Sequence, residues 1–300
     1  MCLTSLPVLR AKFRKALQST DTLNVLNVFA SHGARLFALT DRIMSRLVFI
    51  TGASSGIGQA LARRYHNAGY RLALSARRTV EVEAWASAHA ISPGRFQLYA
   101  ADVSNVDSIV AAGEACIAAQ GLPDVVIANA GISIGMDTAH RQDLAIMAQT
   151  FATNNTGAAA TFHPFVAAMT ARGSGTLVGI GSVAGIRGLP GHGAYCASKA
   201  ALIAYCESLR GELRSSGVQV VTICPGYIDT PLTRQNRYAM PFLMKADRFA
   251  DEAFATISTG RSYKVIPWQM GLVAKLLRLL PNAVFDRALS GRARKQRQGE

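Results

Sequence analysis

The sequence predicts an α/β protein built on a doubly wound parallel sheet of about seven strands, with helices on both faces. Three observations carry that expectation. Short apolar runs recur from residue 46 onward, helical patterns fall between them, and a glycine-rich turn joins the first run to the first helix. Repeated strand–helix alternation means a parallel sheet, because a parallel connection needs a crossover long enough to hold a helix.

The elements follow in order. LVFIT (47–51) has no polar alternation, as expected of a strand buried on both faces. A helical pattern runs over about 57–68, then RLALSA (71–76) makes a second strand and about 80–90 a second helix. RFQLYAA (95–101) and DVVIAN (124–129) are strands around a helix at about 105–119. A long helical pattern covers about 140–170 and leads into the strand GTLVGIG (175–181). Helices at about 194–215 and 247–258 flank VQVVTIC (218–224), and SYKVI (262–266) closes the series. No internal repeat or low-complexity tract interrupts it. In sheets of this kind ligands bind beyond the carboxyl ends of the strands.

The chain of 300 residues therefore divides into an N-terminal extension (1–43), one α/β domain (44–266) and a C-terminal helix with a basic tail (267–300). The extension has weak periodicity and few acidic residues. It reads as a disordered arm, an Arg-rich transit-like segment, or a stretch upstream of a true start at Met44, and the last reading fits best. Net charge is +14, yet residues 47–260 hold sixteen basic and fourteen acidic side chains, so the centre is nearly neutral. That argues against a nucleic-acid-binding core and leaves attraction of the basic flanks to an anionic surface open. The five cysteines are scattered and form no metal-binding or redox pair, so free thiols, a reducing cytoplasmic setting and no metal are expected. No run reaches the ~18–20 apolar residues of a spanning helix.

The first strand runs into TGASSGIG (51–58) and then a helix. Gly52, Gly56 and Gly58 let the backbone turn tightly and approach a pyrophosphate, while Ser54, Ser55 and Ile57 complete the loop. The strand–glycine–helix context makes this a Rossmann-type nucleotide site rather than a bare turn. The second strand ends Ala76-Arg77-Arg78, where NAD sites commonly place a carboxylate for the ribose hydroxyl. An arginine there suits a 2′-phosphate through its planar fork, so NADP(H) is expected over NAD(H), with Arg77 as its reader.

Tyr195 and Lys199 stand four apart in YCASK, one helical turn, so both project from one face. An ammonium held near a phenol favours the phenolate and lowers its pKa, which fits a Tyr for proton transfer. The spacing alone is common in proteins; its company gives it weight.

With these motifs in order, residues 46–230 resemble the short-chain dehydrogenase/reductase family. The resemblance implies that TGASSGIG is the cofactor loop and that Asp102 and Val103 contact the adenine. It implies that Asn129, Ala130 and Gly131 steady the central strand, and that Pro225, Gly226, Ile228 and Thr230 close over the nicotinamide. It also implies a catalytic set of Asn154, Ser182, Tyr195 and Lys199. Tyr195 would be the general acid, Lys199 would lower its pKa and bind the ribose, Ser182 would polarise the carbonyl, and Asn154 would hold a relay water. Asn155 is a neighbour of the same type, and Gly181 stands where a second Ser is frequent. The family is commonly dimeric or tetrameric through its long helices, here about 140–170 and 194–215.

The activity so implied is NADP-dependent interconversion of a carbonyl and an alcohol. The alternative is a nucleotide-binding sensor or membrane-surface scaffold of the same fold. Apolar stretches at 131–136, 185–191 and 238–247 suggest a hydrophobic, lipid-like or fatty-acyl ketone or aldehyde. His163 and His192 read as structural or loop residues rather than ligands, and Arg234 and Arg237 as solvated loop charges rather than contacts to an acidic substrate. PWQMGLVAKLLRLLP (267–281) forms a helix with Gly271, Lys275 and Arg278 on one face and a broad leucine surface. Such a helix closes a pocket, packs at a subunit interface, or lies in a membrane surface, with the tail at 291–298 solvated.

Overall fold

A computed structural model of the chain describes residues 46–236, 238–291, 294–297 and 299. The expected N-terminal extension, the reading of Arg237 and parts of the basic tail lie outside the described residues. Among the described residues nine strands occur: β1 (Leu47–Thr51), β2 (Arg71–Ala76), β3 (Phe96–Ala100), β4 (Val125–Ala128), β5 (Gly175–Ile180), β6 (Val218–Pro225), β7 (Ile228–Asp229), β8 (Met244–Lys245) and β9 (Tyr263–Ile266). Seven form one sheet in the order β3-β2-β1-β4-β5-β6-β9, and every neighbouring pair is parallel. The short β7 and β8 pair with each other apart from it. Winding reverses beside β1, which pairs β2 on one edge and β4 on the other; Ile50 faces Leu74 and Ile127 in register. The crevice at that reversal is where a doubly wound sheet receives a ligand.

The helices are α1 (Gly56–Asn67), α2 (Thr79–Ala88), α3 (Val106–Gln120), α4 (Asp143–Phe151), α5 (Gly157–Arg172), α6 (Gly193–Glu212), α7 (Pro231–Arg234), α8 (Ala246–Ser258), α9 (Trp268–Leu279) and α10 (Asn282–Leu289). Side chains alternate across a strand, and here both faces are covered. Val48 and Ile50 pack with Leu61 and Tyr65 of α1, Val82 of α2 and Phe249 of α8. Leu47 and Phe49 pack on the other face with Ile109 of α3, Phe162 and Phe165 of α5 and Leu202 of α6. This is why the strand reads as an unbroken apolar run.

The pattern expected as one helix over 140–170 is broken. Residues Ala152–Thr156 form a π turn between α4 and α5. Thr150 and Thr153 hydrogen-bond back to the carbonyls of Ile146 and Gln149, a habit that bends helices. The wider turn places Asn154 inward, buried to 1% exposure. Gly181 also has a packing reason: a Cβ there would stand 2.9 Å from the Cys224 sulfur and 3.3 Å from Ile203. Cys116, Cys196, Cys206 and Cys224 are all free and buried.

The C-terminal helices lie on the domain. α9 turns Met270 and Ala274 inward and leaves Trp268, Leu272, Leu276 and Leu279 exposed. Arg187 secures its end. The guanidinium donates to the carbonyls of Leu277, Arg278 and Leu280, reaches Asn282 Oδ1 at 3.1 Å, and lies 3.9 Å over the Phe285 ring. A cation among the orphan carbonyls of a helix end satisfies both their hydrogen bonds and the helix dipole. Among the described residues no helix is long and apolar enough to cross a membrane.

Candidate active site

The glycine turn sits at the carboxyl end of β1. Gly52 (φ 68°) and Gly56 (φ 54°) take the left-handed conformation that glycine adopts without strain. Gly58 opens α1 against the Gly52 carbonyl, leaving no room for a side chain. Ser55 caps α1 without a side-chain hydrogen bond and no acidic residue occupies the first turn. The leading N–H groups of α1 therefore suit an anion.

The NAG segment locks this turn to β4. Asn129 Nδ2 donates to the Thr51 carbonyl at 2.9 Å, and Thr51 Oγ1 accepts from the N–H groups of Asn129 (3.1 Å) and Ala130 (3.2 Å). Gly131 is the close approach to the next layer. A Cβ there would lie 3.2 Å from Asn154 Oδ1 and 3.5 Å from Lys199 Nζ.

At the end of β2 the two arginines divide. Arg77 lies 3.6 Å from the Asp102 carboxylate, and Val103 beside Asp102 is buried. Burial pushes the Asp102 carboxyl up, but the Ser104 N–H and hydroxyl, at 3.0 and 2.7 Å, and Arg77 outweigh it and hold the pKa low. Arg78 donates to Ser54 Oγ at 3.3 Å and pairs with Glu81 at 2.9 Å. Sequence reasoning singled out Arg77; the structure adds Arg78, the guanidinium that touches the glycine loop.

The four expected catalytic residues converge beyond β4 and β5. Asn154 Oδ1 accepts from the Ile132 N–H at 2.9 Å, and its amide donates to the Ile132 carbonyl (3.0 Å) and Ser198 Oγ (2.9 Å). Both ends of the side chain are thus engaged by protein. Asn155 instead donates to the Ser198 carbonyl at 2.9 Å, so Asn154 is the one that faces the cluster. Lys199 is buried and its Nζ donates a hydrogen bond to the Ile180 carbonyl at 2.8 Å. Burial lowers its pKa to about 8. Ser182 Oγ accepts from the Ala184 N–H at 3.1 Å and hydrogen-bonds Tyr195.

The expectation that Tyr195 is pulled down by Lys199 is corrected here. Burial raises the Tyr195 pKa, and the opposing influence is the hydrogen bond from Ser182. Lys199 Nζ lies 5.9 Å from the Tyr195 ring centroid with its proton directed to Ile180. Helical spacing put the two on one face, while packing desolvates both.

The segment after β6 arches over the glycine turn. A Cβ on Gly56 would meet Thr230 at 3.1 Å. Thr230 is buried and opens α7, and its N–H is held by Thr233 Oγ1 at 3.0 Å. Pro225 ends β6, Ile228 is buried, and Gly226 donates to Ile266 at 2.8 Å while lying too close to Met270 and Pro267 for a side chain.

Beside this cluster lies a cavity of about 690 Å³ bounded by Leu189, Pro190, His192, Tyr227, residues 238–241 and Leu289. His192, expected to be a loop residue, is a wall of it. Its Nε2 meets the Tyr238 hydroxyl at 3.1 Å, and burial lowers its pKa. Tyr195 is near enough for its charge to act on Tyr238. His192 caps α6 three residues before Tyr195. Arg234, read from sequence as a solvated loop charge, ends the short α7 and pairs with Asp229 at 2.8 Å on the surface. Among the described residues no cluster of His, Cys, Asp and Glu could hold a metal.

Comparison with known proteins places this arrangement. A family model described as short chain dehydrogenase matches residues 46–240. An uncharacterized oxidoreductase of Myxococcus xanthus is 37% identical over 243 residues, covering 81% of this chain and 96% of that protein. The dehydrogenase/reductase SDR family member 7B of Bos taurus is 31% identical over 278 residues, covering 86% and 84%. Among solved structures, a short-chain dehydrogenase from Sphingobium yanoikuyae in complex with NADPH aligns with TM-score 0.67 at 26% identity, over 79% of this chain and 97% of that one.

Proposed function

The chain belongs to the short-chain dehydrogenase/reductase family, and on that premise we propose that this oxidoreductase uses NADP(H) to interconvert a carbonyl and an alcohol on an apolar substrate. One observation carries the reading. The Tyr195 phenol is hydrogen-bonded to Ser182, with buried Lys199 one turn behind it, and His192, three residues before Tyr195, lines a largely apolar cavity.

The residues fit a dinucleotide. The Gly52–Gly58 turn and the leading N–H groups of α1 would hold the pyrophosphate. Asp102 and Val103 would border the adenine, while Gly131, Lys199, Pro225, Gly226, Ile228 and Thr230 would surround the nicotinamide end. Arg77 and Arg78 would take a 2′-phosphate, and no carboxylate at the end of β2 opposes one. Arg77 also screens the Asp102 charge. When bound, the nicotinamide supplies or accepts the hydride.

Tyr195 gives its phenol proton to the carbonyl oxygen. The raised pKa keeps that proton in place at neutral pH, the form reduction needs. Ser182 shares the same oxygen and orients it. Lys199 stabilises the phenolate left behind, and the low-dielectric surroundings strengthen that interaction. Asn154 fixes the Ile132 backbone and the Ser198 hydroxyl, so it frames Gly131 and Lys199 rather than standing free. A nucleotide sensor of the same fold has no use for the set Ser182, Tyr195 and Lys199. Fluorescence titration with NADPH and NADH, followed by a screen of apolar aldehydes and ketones, tests the whole reading. Binding without turnover of any carbonyl compound favours the sensor, and tighter binding of NADH overturns the cofactor assignment.

A second reading concerns where the enzyme works. The outward face of α9 presents Trp268, Leu272, Leu276 and Leu279 beside Lys275 and Arg278, with no acidic residue in the helix. Apolar and basic side chains on one face suit the surface of an anionic membrane. Co-sedimentation with anionic liposomes, compared between the full chain and a Leu272→Glu/Leu276→Glu variant, is the test; equal sedimentation of both ends the idea.

A further inference from the structure

The basic tail read from sequence as solvated is folded onto the domain at residues 294–297. Gly135 donates its N–H to the Gln296 carbonyl at 2.9 Å, and Gly135 and Arg297 form a parallel bridge. Arg297 grips Asp143 with two parallel hydrogen bonds, Nε to Oδ2 at 2.7 Å and Nη2 to Oδ1 at 3.1 Å. Lys295 donates to Asn236 Oδ1 at 2.6 Å, and Arg294 lies 3.7 Å from Asp137. Two glycines make room: a Cβ on Gly191 would stand 2.9 Å from Arg294 Cβ, and one on Gly135 would strike the backbone of Lys295 and Gln296.

Arg297 reaches Asp143 at the start of α4, the other contacts fall on three loops, and the three have one thing in common. The loop at 131–137 follows β4, that at 186–192 leads to Tyr195, and that at 235–241 carries Tyr238 and Met240. Two of them supply most of the cavity wall, and Met136 of the third donates to the Gly191 carbonyl at 3.2 Å. Leu289, just before the tail, is itself part of the wall. The Arg297–Asp143 pair is the strongest tie. Its side chains are 21% and 7% exposed, its geometry is bidentate, and Asp143 Oδ2 also accepts the Asp137 N–H at 2.7 Å. Such a pair is far less screened than a surface ion pair.

We propose that Arg297, clamped to Asp143, is a specificity-positioning residue: it holds residues 294–297 as a strap across the substrate-side loops and so limits the length of the substrate the cavity accepts. This rests on the carbonyl–alcohol reading of the site. With the strap in place the cavity admits compact apolar carbonyl compounds. With it released, the loops at 186–192 and 235–241 part and longer chains gain contact. The contacts described for residues 294–297 fall on neither the glycine turn nor Lys199, so NADPH affinity is expected to be independent of the strap.

The test compares the full chain with its Arg297→Gln, Arg297→Lys and Asp143→Asn variants over straight-chain aldehydes from butanal to dodecanal, with NADPH as reductant. Arg297→Gln is expected to raise kcat/KM for dodecanal relative to hexanal about tenfold, the gain of burying about two more methylene groups. The change should lie in KM for the long aldehydes, with kcat for hexanal and NADPH affinity unaltered. Asp143→Asn should follow Arg297→Gln, and Arg297→Lys should return most of the wild-type profile. Identical chain-length profiles in wild type and Arg297→Gln overturn the proposal. If no form reduces any aldehyde, the catalytic reading fails by itself, and the strap is then judged by binding of the apolar dye 1-anilinonaphthalene-8-sulfonate. Tighter dye binding by Arg297→Gln upholds the strap, and equal binding overturns it.

Discussion

Lys199 stands one helical turn from Tyr195, its Nζ 5.9 Å from the phenol ring centroid, and directs a proton to the Ile180 carbonyl at 2.8 Å. Both groups are desolvated, and burial moves them in opposite senses, the lysine down to about 8 and the tyrosine up. The cluster therefore holds a protonated phenol next to a cation whose charge is costly to bury. That combination is set to move when a phenolate forms, because the phenolate and the ammonium then stabilise each other.

Tyr195→Phe removes the proton donor and little else. We expect kcat to fall by about 10²–10⁴-fold, the usual worth of a positioned general acid. NADPH affinity, read by fluorescence, should stay within about twofold, since no glycine-loop contact involves the phenol. Turnover near the wild-type level in this variant would falsify the assignment.

Lys199 makes stability depend on pH with a definite sign. Its folded pKa of about 8 lies below the ~10.4 of an unfolded lysine, so the unfolded chain binds more protons between those values. Stability from this group therefore rises as pH climbs from about 8 toward 10. A Lys199→Met variant lacks the buried charge and the slope with it. Differential scanning calorimetry at pH 7.5 and 9.5 should show the Tm of wild type gaining on that of the variant. A constant difference would mean that Lys199 is not desolvated as described.

Arg77 and Arg78 should separate the two cofactors. Replacing either by Ala is expected to weaken NADPH binding about tenfold or more, the worth of a charge-assisted bond to phosphate. NADH binding should change little. An equal loss for both nucleotides would show that the arginines hold the loop rather than read the 2′-phosphate; Arg78 is the one for which that outcome has a structural basis, through Ser54.

Arg187→Ala should loosen the C-terminal helices. The variant strips the α9 carbonyls of their donor and the Phe285 ring of its cation, a loss of about 1–3 kcal/mol. Hydrogen exchange should rise over residues 268–289 and leave β1 to β5 protected. Uniformly raised exchange would mean that Arg187 supports the domain as a whole.

Much of this architecture was legible because its signals are local. Each sheet strand of the doubly wound fold is an apolar run, and the glycine turn lies within eight residues, TGASSGIG, between one strand and one helix. Tyr195 and Lys199 could be paired because a helix brings residues four apart together. What escaped depends on residues far apart in the chain. The π turn exists where Asn154 reaches Ile132, a contact invisible to helical periodicity. His192 became a cavity wall through Tyr238, and Arg187 a helix clamp through Leu280 and Asn282. Arg297 pairs with Asp143, 154 residues away in the chain, and basic residues in a tail carry no local sign of a carboxylate waiting for them. The direction of the Tyr195 shift was missed for a related reason: spacing reveals neighbours, and only packing reveals solvent.

The four buried cysteines give this protein an internal clock. Cys116 faces inward from α3, Cys206 of α6 packs against Gly179 of β5, and Cys224 lies in β6, the last two near Lys199. None can meet a reagent from solution while the layers stay closed, and burial raises the pKa of each, so each is slow to form the reactive thiolate. Modification therefore marks the moment a given layer opens. Timed alkylation followed by peptide mapping would order those openings, and the chain already carries one probe on the inner face of α3, two on α6 and one in β6.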